Sequence, residues 1–474
     1  MLPKPDACRG CPAWGDGQGW VPDDMKPGAE VCVIGQNPGG DEEAGRRYLG
    51  NEQYEPSPHM PLIGRTGRVW ERGYLPLAGL DRSEVSTGNI VRCRWNHSDK
   101  LPPLNQKIVR QAIEHCNRAH FRPPASTKVF VAMGEYAFMG LTSLQHDFNG
   151  WRGYVHPYRP LWADPAPLPT RIWTPGHVPG DPLPVYVVHH IARIFREPEA
   201  ELPAKRDWNK LAQLLAGKWP EPMPPIDPEP PVPWPDYAAF DTEFEPEHPE
   251  RLVRWSLATR DRHVWVVEAH RGYPHVTSGS TVIMHNAPAD IPHLRGFDPA
   301  VVTMEDSMYA HACLWSGRTE TDDQKGKQGG ASSHTLNFLG SLYSKINRWK
   351  HLARIAPRQY AGADALGTMD AWATGLHGGL SGELARDPQT KWVYENLQKP
   401  LIPIIMKAHQ RGIATDREAA RAALAAIKRE QDRFELRAQA SAGWALNIRS
   451  PQHVAFWLYT IEQVKKARRK FGAR

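Results

Sequence analysis

Carboxylates recur in the second half of the chain at spacings that suit a metal centre. Asp241 and Glu243 lie two residues apart in the strand-like stretch YAAFDTEF, so their side chains share one face. Asp290 follows in VIMHNAPADIPHL, and Tyr360 and Asp364 are one helical turn apart in RQYAGADALG. An isolated D-x-E is also compatible with a capped strand end. Because oxygen ligands with open positions suit hard cations, the set predicts Mg²⁺ or Mn²⁺ rather than zinc.

Cysteine spacing near the N-terminus indicates a second metal. The chain has six cysteines in 474 residues, too few for a disulfide scaffold. Cys32 lies inside an apolar strand and is expected in the core, since free cysteine behaves as a small hydrophobe, and Cys313 is left over. Zinc in a closed tetrahedral site is one candidate for the remaining four. These four are Cys8, Cys11, Cys93 and Cys116.

The first buried strand ends in a turn that could meet a polar ligand. The stretch VCVIGQNPGGDEEAG, residues 31–45, runs from an apolar strand into a Gly-x-x-Pro-Gly-Gly turn. A phosphate or a nucleobase would suit such a turn. A P-loop is excluded because no Gly-Lys-Ser/Thr follows.

The elements that must position these residues alternate in type. Strand patterns VCVIG, GNIVRC and KVFVAMG alternate with helical patterns such as NQKIVRQAIEHCNRAH, which predicts an α/β domain with a mainly parallel sheet. Later, YAAFDTEF, HVWVVEA and TVIMHNA are strand patterns, followed by largely helical sequence. The Ala-rich stretch from Arg417 predicts a long helix.

A proline-rich run divides the chain. In WPEPMPPIDPEPPVPWP, residues 219–235, about every second residue is proline, which favours a polyproline II spacer. The predicted organisation is a first domain over 1–217, a linker over 218–235, a second domain over 236–380 and a helical segment over 381–474.

Composition limits the function classes without selecting one. The net charge of +6, from 58 basic and 52 acidic residues, permits nucleic-acid binding but does not require it. The basic end KKARRKFGAR is expected to be solvated rather than a nucleic-acid arm. With no apolar run of about 18 residues and no apolar signal core, we expect a soluble protein of the cytoplasm.

Motifs over residues 5–200 occur in a specific order. After the C-x-x-C pair come GQNPGGDEEAG, PLIGRTGRVW, GNIVRCRW, KVFVAMGEYAF and VHHIARIFR. In this order they resemble the iron–sulfur uracil-DNA glycosylases of family 4. The resemblance implies a three-layer α/β/α domain, excision of uracil from DNA, and a 4Fe–4S cluster on the four cysteines named above.

The resemblance assigns roles to individual residues. Asn89 can accept from uracil N3–H and donate to O4, whereas cytosine offers the opposite polarity; a turn-former after Gly88 is the alternative. His190, or as second choice His189, would hydrogen-bond uracil O2 as charge grows on the leaving base. Asn37 would position the attacking water, although it cannot act as a strong base. The other predicted binding residues are Gly35, Gln36, Gly39 and Leu62.

This sequence departs from the family pattern at two of these positions. Gln36 stands where the family usually has Glu, and Asn37 gives a Gly-x-Asn-Pro-Gly pattern closer to the mismatch-specific and single-strand-selective branches. Leu62 replaces a common Phe that stacks on the base, and stacking is worth about 1–3 kcal/mol per base. A weaker or altered pocket is therefore one expectation.

Two further features of the sequence lie in or next to this turn: an insertion and a pair of glycines. The insertion RRYLGNEQYEPSPHM, residues 46–60, carries Tyr48 and Tyr54, either of which could replace the missing ring. The turn is expected to meet a base, while the backbone amides of Gly39 and Gly40 stay free for a DNA phosphate.

Three motifs over 236–380 also occur in order: Asp-x-Glu, Asn-x-x-x-Asp from Asn286, and Tyr-x-x-x-Asp. With SSHTLNFLGSLY between the second and third, they resemble the 3′–5′ proofreading exonuclease of family A DNA polymerases. The resemblance implies a ribonuclease-H-like α/β domain and two-metal hydrolysis, with Tyr360 orienting the water. The implied ligands of two Mg²⁺ or Mn²⁺ are Asp241, Glu243, Asp290 and Asp364.

The C-terminal segment resembles the start of the polymerase domain in the same family. LIPIIMKAHQRGIATDRE and LNIRSPQHVAFWLY carry the resemblance; the matched residues are Gly412, Ile413, Asp416, Asn447, Ser450, Pro451 and Gln452. No palm carboxylates follow, so we expect this chain not to synthesise DNA by itself. The combination is one that we associate with bacteriophage replication proteins.

The motifs together predict a DNA repair or replication enzyme that combines uracil excision with a metal-dependent 3′–5′ exonuclease. The alternative is a glycosylase fold that binds DNA or uracil without cleaving, joined to an exonuclease that serves a separate DNA polymerase chain. DNA is the expected partner in both cases, and no membrane is expected.

Overall fold

The computed structural model describes residues 2–15, 17–95, 106–144, 147–163, 169–176, 180–245, 247–315, 334–412, 414 and 416–459. The chain forms two compact units, Met1–Ile405 and Met406–Arg474. None of the described helices has the length and apolar character needed to cross a membrane.

Fifteen strands and fourteen α-helices are described. The strands are β1 Gly17–Gln18, β2 Val31–Gly35, β3 Arg46–Gly50, β4 Gln53–Pro56, β5 Val85–Asn89, β6 Arg94–Trp95, β7 Val129–Met133, β8 Val155–Pro157, β9 Pro184–Val188, β10 Ile226–Asp227, β11 Tyr237–Glu245, β12 His248–Thr259, β13 Val264–Glu268, β14 Thr281–Met284 and β15 Thr303–Asp306. The helices are α1 Gly40–Ala44, α2 Arg65–Gly73, α3 Lys107–His120, α4 Glu135–Thr142, α5 Phe148–Trp151, α6 Glu201–Leu215, α7 Ala287–Asp290, α8 Ser307–Leu314, α9 Leu336–Tyr343, α10 Pro357–Met369, α11 Gly379–Arg386, α12 Pro388–Val393, α13 Lys399–Arg411 and α14 Arg417–Ala442.

A five-stranded sheet forms the core of residues 1–217, which we call the N-terminal half. Its strand order is β5-β2-β7-β9-β8, and all neighbours are parallel except β8 and β9. Strands β2, β7 and β9 are buried along their whole length, as expected for parallel strands covered on both faces. Cys32 is fully buried in β2. The predicted α/β fold class is confirmed.

The second sheet has six strands in the order β10-β13-β12-β11-β14-β15. Strand β12 runs antiparallel to its neighbours β11 and β13, whereas β14 runs parallel to β11 and β15 runs parallel to β14. The predicted strand patterns correspond to β11, β13 and β14. The long strand β12 was absent from the sequence-based expectations.

The two sheets belong to one compact unit, and buried polar contacts connect them. Arg152 and Asp207, both almost fully buried, form an ion pair of 2.6 Å, and Arg152 also donates to Ser341. In the proline-rich segment, Trp219 Nε1 donates to the Ser344 carbonyl at 3.0 Å and β10 pairs with β13. This segment is therefore packed against the second sheet, while the predicted domain boundaries stay predictions.

The second compact unit contains the long helix α14. Asp416 caps its N-terminus by accepting from the Glu418 and Ala419 amides at 3.0 and 2.9 Å, and Gly443 ends it in the left-handed conformation. The helix begins at Arg417, as predicted. Ile413 and the basic tail at 465–474 lie outside the described residues.

Candidate active sites

One cavity of about 460 Å³ opens where β2 and β5 end. Parallel strands present their carboxyl ends at one edge of a sheet, so residues far apart in sequence meet there. Six of the residues predicted to bind or act on uracil line this cavity: Gln36, Asn37, Gly39, Leu62, Asn89 and His190. The seventh, Gly35, is the register partner of Asn89.

Asn89 occupies the last position of β5 and is only 4% exposed. A Cβ atom on Gly35 would lie 2.7 Å from Asn89 Oδ1, so glycine at 35 makes room for the amide. Within the described part of the chain, Asn89 Nδ2 has no hydrogen-bond partner. A buried donor without a partner costs about 1–3 kcal/mol, which a ligand carbonyl could offset.

His190 has a defined hydrogen-bonding state. Its Nδ1 accepts from the Ala192 amide at 3.3 Å, so the proton of the neutral ring lies on Nε2. Burial, and then the charge of Arg196, lower the pKa of His190 to about 4. Near neutral pH the side chain is therefore a neutral N–H donor at the cavity. His189 is instead buried beside Phe148 and Arg193.

Glu42 is a cavity residue that sequence reasoning missed. Its carboxylate accepts from the Gly39 amide at 3.0 Å and the Leu62 amide at 2.5 Å, and so joins the two cavity-forming turns. Burial raises the pKa of Glu42 to about 7. The expectation that the Gly39 amide is free for a phosphate is wrong, because Glu42 already occupies it. The capping-box spacing, three residues after Gly39, was the available signal.

The insertion forms the hairpin β3–β4. Tyr48 and Tyr54 contact each other edge-on at 5.3 Å between ring centroids, and neither is among the residues that line the cavity. The idea that one of them replaces the missing stacking ring is therefore not supported. Leu62 is held by the turn: its φ is 61°, and a Cβ on Gly67 would meet its carbonyl oxygen at 1.9 Å.

Two arginines also line the cavity without having been predicted. Arg65 begins α2 and its guanidinium lies 4.9 Å from the Phe195 ring centroid, while Arg196 follows the turn that His190 caps. Fixed positive charge beside a base-sized cavity suits the phosphates that flank a nucleobase.

The four predicted cysteine ligands line a second, small cavity. Burial and then the neighbouring cysteines raise the pKa of Cys8 to about 11 and that of Cys93 to about 12. Thiolates gathered in this way need a bound cation. Among the described residues, no three of the sulfurs lie within 4.8 Å of one another. Four thiolates are a donor set for either a structural zinc ion or an iron–sulfur cluster.

Carboxylates from two elements converge at a third place. Asp241 and Glu243 project from β11, Asp364 lies on α10, and ligand oxygens of the three lie within 4.8 Å of one another. Asp241 Oδ2 is buried and has no hydrogen-bond partner among the described residues. A donor set of carboxylate oxygens suits Mg²⁺ or Mn²⁺.

Asp290 is held differently from the other three predicted ligands. It lies at the end of α7, 4% exposed, and its Oδ1 accepts from the Thr242 amide at 3.1 Å and the Thr242 hydroxyl at 2.6 Å. It is not among the three carboxylates whose oxygens lie within 4.8 Å. The structure thus gathers three of the four predicted ligands and anchors the fourth to the intervening residue of β11.

Tyr360, Trp349 and Lys350 surround Asp364. Asp364 Oδ1 accepts from Trp349 Nε1 and from Lys350 Nζ, both at 2.5 Å. Lys350 Nζ also lies 3.2 Å from the Tyr360 hydroxyl. Of these three residues only Tyr360 was predicted from the sequence, because Trp349 and Lys350 belong to no motif.

Metal ions are expected to stabilise the protein more at pH 8.5 than at pH 6. Burial, and then Asp364, raise the pKa of Glu243 to about 7, and burial raises that of Asp290 to about 8. Both exceed the values of about 4.3 and 3.9 in unfolded chains, so the free energy of unfolding falls as the pH rises from about 4 and the loss is complete above about pH 7 to 8. A bound cation neutralises the charge that these carboxylates carry at the higher pH, and so offsets the loss of stability. Melting temperatures with EDTA and with Mg²⁺ at both pH values measure this, and equal Mg²⁺ effects would contradict it.

Comparisons with known proteins bear mainly on the N-terminal half. The chain is 26% identical over 111 residues to a type-4 uracil-DNA glycosylase of Sulfurisphaera tokodaii, a match that covers 23% of this chain and 41% of the relative. Two solved structures of Brucella melitensis NrnC, one with bound Mg²⁺, match 40% of this chain at 18% identity and a TM-score of 0.26, over 92% and 91% of their own length. No family model matches. The chain thus contains a region similar to a type-4 uracil-DNA glycosylase.

Proposed function

We propose that this protein is a DNA-processing enzyme with two activities: excision of uracil by the N-terminal half and metal-dependent 3′–5′ hydrolysis of DNA by the carboxylate site. The observation that carries the first is the single cavity lined by Asn37, Asn89 and His190. The observation that carries the second is the convergence of Asp241, Glu243 and Asp364.

Base recognition would use the side-chain amide of Asn89, whose Nδ2 has no partner in the described part of the chain. Its Nδ2 donates to uracil O4 and its Oδ1 accepts from N3–H, whereas cytosine presents a donor to a donor and an acceptor to an acceptor. Leaving buried polar groups unpaired against the wrong base is an effective form of discrimination. A flipped-out uracil is held in this way while the cost of unstacking, about a few kcal/mol, is offset by the pocket.

Cleavage of the glycosidic bond places negative charge on the leaving base. His190, neutral and protonated on Nε2, would donate to uracil O2 as that charge develops, which is electrostatic stabilisation of the oxyanion type. Asn37 Nδ2 already donates to the Pro38 carbonyl at 3.0 Å, so its Oδ1 remains as the acceptor that would orient the attacking water. Arg65 and Arg196 would meet the flanking phosphates.

The carboxylate site would hold two divalent cations through Asp241, Glu243 and Asp364, with Asp290 as the fourth acidic group. The bound cations supply an activated water and stabilise the leaving 3′ oxygen. Tyr360, one helical turn before Asp364, would orient the water nucleophile. Asp241 Oδ2, which is buried and has no partner among the residues that the structure describes, supports this assignment, since such an oxygen suits a cation.

We assign a 4Fe–4S cluster to the four cysteines. The four cysteines line one small cavity, and the similarity to a type-4 uracil-DNA glycosylase favours a cluster over a single zinc ion. The cysteines come from the N-terminal turn, from the segment after β5 and from α3, so the cluster would tie the N-terminus to the sheet. Its role is structural.

Cys93→Ala is expected to lower the iron content from about four atoms per chain to well below that number and to reduce the melting temperature, since metal-binding free energy contributes to folding. Cys313→Ala, which removes a similarly half-buried cysteine from α8, is the matched control. Iron analysis, visible absorbance and thermal melts measure the effect. Full iron content in the Cys93 variant would contradict the ligand assignment.

The proposed excision is tested on an oligonucleotide with a single uracil, using anaerobically purified protein in EDTA so that hydrolysis of 3′ ends is silent. Alkali-induced strand breakage at the uracil is expected. Asn37→Ala should reduce it by about 10–100-fold, since a positioned water is lost while binding remains. An Asn37→Ala variant as fast as wild type would show that Asn37 has no such role.

The same assay distinguishes uracil excision from the alternative function, binding of DNA without cleavage. Binding of the uracil oligonucleotide without any strand breakage would mark the N-terminal half as a DNA-binding module, in line with the departures at Gln36 and Leu62. The carboxylate site would then be the remaining candidate for catalysis.

A further inference from the structure

The segment Asn347–His351 links the N-terminal half to the carboxylate site, and the inference drawn from it rests on the proposed nuclease function. The segment lies between α9 and α10, outside every motif that the sequence presents. Its middle residues contact the carboxylate site, whereas the residues on either side contact the N-terminal half.

Lys350 is the cation that the carboxylate site already contains. Its ammonium group contacts Asp364 Oδ1 at 2.5 Å and the Tyr360 hydroxyl at 3.2 Å, and it lies 4.8 Å from the Tyr360 ring centroid. Asp364 is 4% exposed and Lys350 is 23% exposed. A single ammonium group thus touches both the metal-ligand carboxylate and the residue assigned to the nucleophilic water.

Asn347 fixes one end of the segment to the N-terminal half. Its amide donates to the carbonyl oxygens of Val155 and Trp173 at 2.9 and 2.8 Å, and its Oδ1 accepts from the Val155 amide at 3.1 Å. Asn347 is 1% exposed, so all three bonds are shielded from water. Three satisfied hydrogen bonds on one buried amide hold this end of the segment to strand β8.

The residues that flank Lys350 are held by the same half. Arg348 pairs with Asp147, the Trp349 ring packs edge-on against Tyr154 with centroids 6.4 Å apart, and the His351 ring lies 5.5 Å from that of Trp151. Since both neighbours of Lys350 are anchored, its backbone cannot withdraw without breaking these contacts.

We propose that Lys350 is a positioning residue of the nuclease site: its ammonium group orients Tyr360 and Asp364 and competes with the divalent cation for Asp364, while the N-terminal half holds it in place. The N-terminal half would then serve the nuclease directly, independently of whether it excises uracil. A positive charge beside a cation site weakens binding of the cation, and a hydrogen bond to a ligand or to the water-orienting group fixes its geometry.

Removing the ammonium group should strengthen cation binding but slow hydrolysis, and these opposite changes make the proposal testable. Lys350→Met is expected to bind Mn²⁺ about tenfold more tightly and to degrade a 3′-labelled single strand about 10–100-fold more slowly in a single turnover, the range found for partners of metal ligands. Lys350→Arg, which keeps the charge and can donate to both oxygens, should recover part of the rate and the weaker Mn²⁺ binding.

Lys399→Met is the matched control. Lys399 pairs with Glu305 at 2.7 Å and is 25% exposed, close to the exposure of Lys350, but it contacts none of the assigned metal ligands. It should change neither Mn²⁺ affinity nor rate. Mn²⁺ affinity is measured on the full chain by electron paramagnetic resonance of the free ion, and circular dichroism and thermal melts monitor folding.

Two outcomes would overturn the proposal and can be told apart. Mn²⁺-dependent hydrolysis in wild type, with Lys350→Met behaving like Lys399→Met or losing affinity and rate together, would reject the role of Lys350 and leave the nuclease assignment intact. Wild-type protein that neither binds Mn²⁺ nor degrades the strand would reject the nuclease function and this inference with it. Should Lys350→Met not fold, Lys350→Gln tests the same opposite-sign pattern.

Discussion

Asp241→Ala is expected to abolish hydrolysis of DNA 3′ ends, lowering the single-turnover rate by more than about 100-fold in Mg²⁺ or Mn²⁺. Asp241 is assigned as a direct metal ligand, and loss of a ligand should exceed the effect of about 10–100-fold found for outer partners. Its oxygens lie within 4.8 Å of those of Glu243 and Asp364, so its removal opens the donor set. Degradation of a 3′-labelled single strand is the measurement.

Glu245→Ala is the control for this variant. Glu245 is an acidic residue at the end of the same strand, but it is exposed and pairs with Arg251 at 3.5 Å. It should keep full nuclease activity. Uracil excision in EDTA should be unchanged in both variants, which reports on folding. Metal-dependent degradation by Asp241→Ala at the wild-type rate would show that the ligand assignment is wrong.

Asn89→Asp is expected to reduce uracil excision by about 10–100-fold. The substitution preserves size but replaces the donor that would face uracil O4 with an acceptor. Loss of one buried hydrogen bond costs about 1–3 kcal/mol, and each 1.36 kcal/mol is about tenfold in rate. Because Asn89 Nδ2 has no hydrogen-bond partner among the described residues, the substitution breaks no hydrogen bond of that donor within the fold.

The control is Asn51→Asp, which makes the same substitution at a residue that does not line the cavity. Asn51 lies at the turn of the β3–β4 hairpin with φ 49°, a conformation that asparagine and aspartate both tolerate. Asn51→Asp should excise uracil normally. A cytosine oligonucleotide measured in parallel shows whether the carboxylate, which can accept from cytosine N4, shifts the preference. Unchanged uracil excision by the Asn89 variant would show that the cavity does not read the base through this side chain.

The sequence was informative about features that depend on residues close together in the chain. The apolar runs of β2 and β7, the side-chain alternation of Asp241 and Glu243, and the single helical turn from Tyr360 to Asp364 follow from backbone periods that short stretches specify. The α/β fold class could therefore be predicted, and the residues assigned to the cavity could be chosen before their proximity was known.

Other features depended on contacts between residues far apart in the chain. Glu42 takes up the Gly39 amide that was expected to be free, the β3–β4 hairpin keeps Tyr48 and Tyr54 on each other instead of at the cavity, and Asp290 is bound to Thr242. Each outcome is a choice among hydrogen-bond and packing partners that short-range patterns do not encode.

Short-range patterns were thus enough to predict several strands and helices, the fold class and most of the residues proposed to do chemistry, since these depend on backbone periods and residue types. The tertiary structure alone decided which of these residues meet, and it added Lys350 at the carboxylate site. The physical reason is that Lys350 owes its position to Asn347, Arg348 and Trp349, whose partners lie in the other half of the protein. No motif spacing in the sequence predicts those contacts.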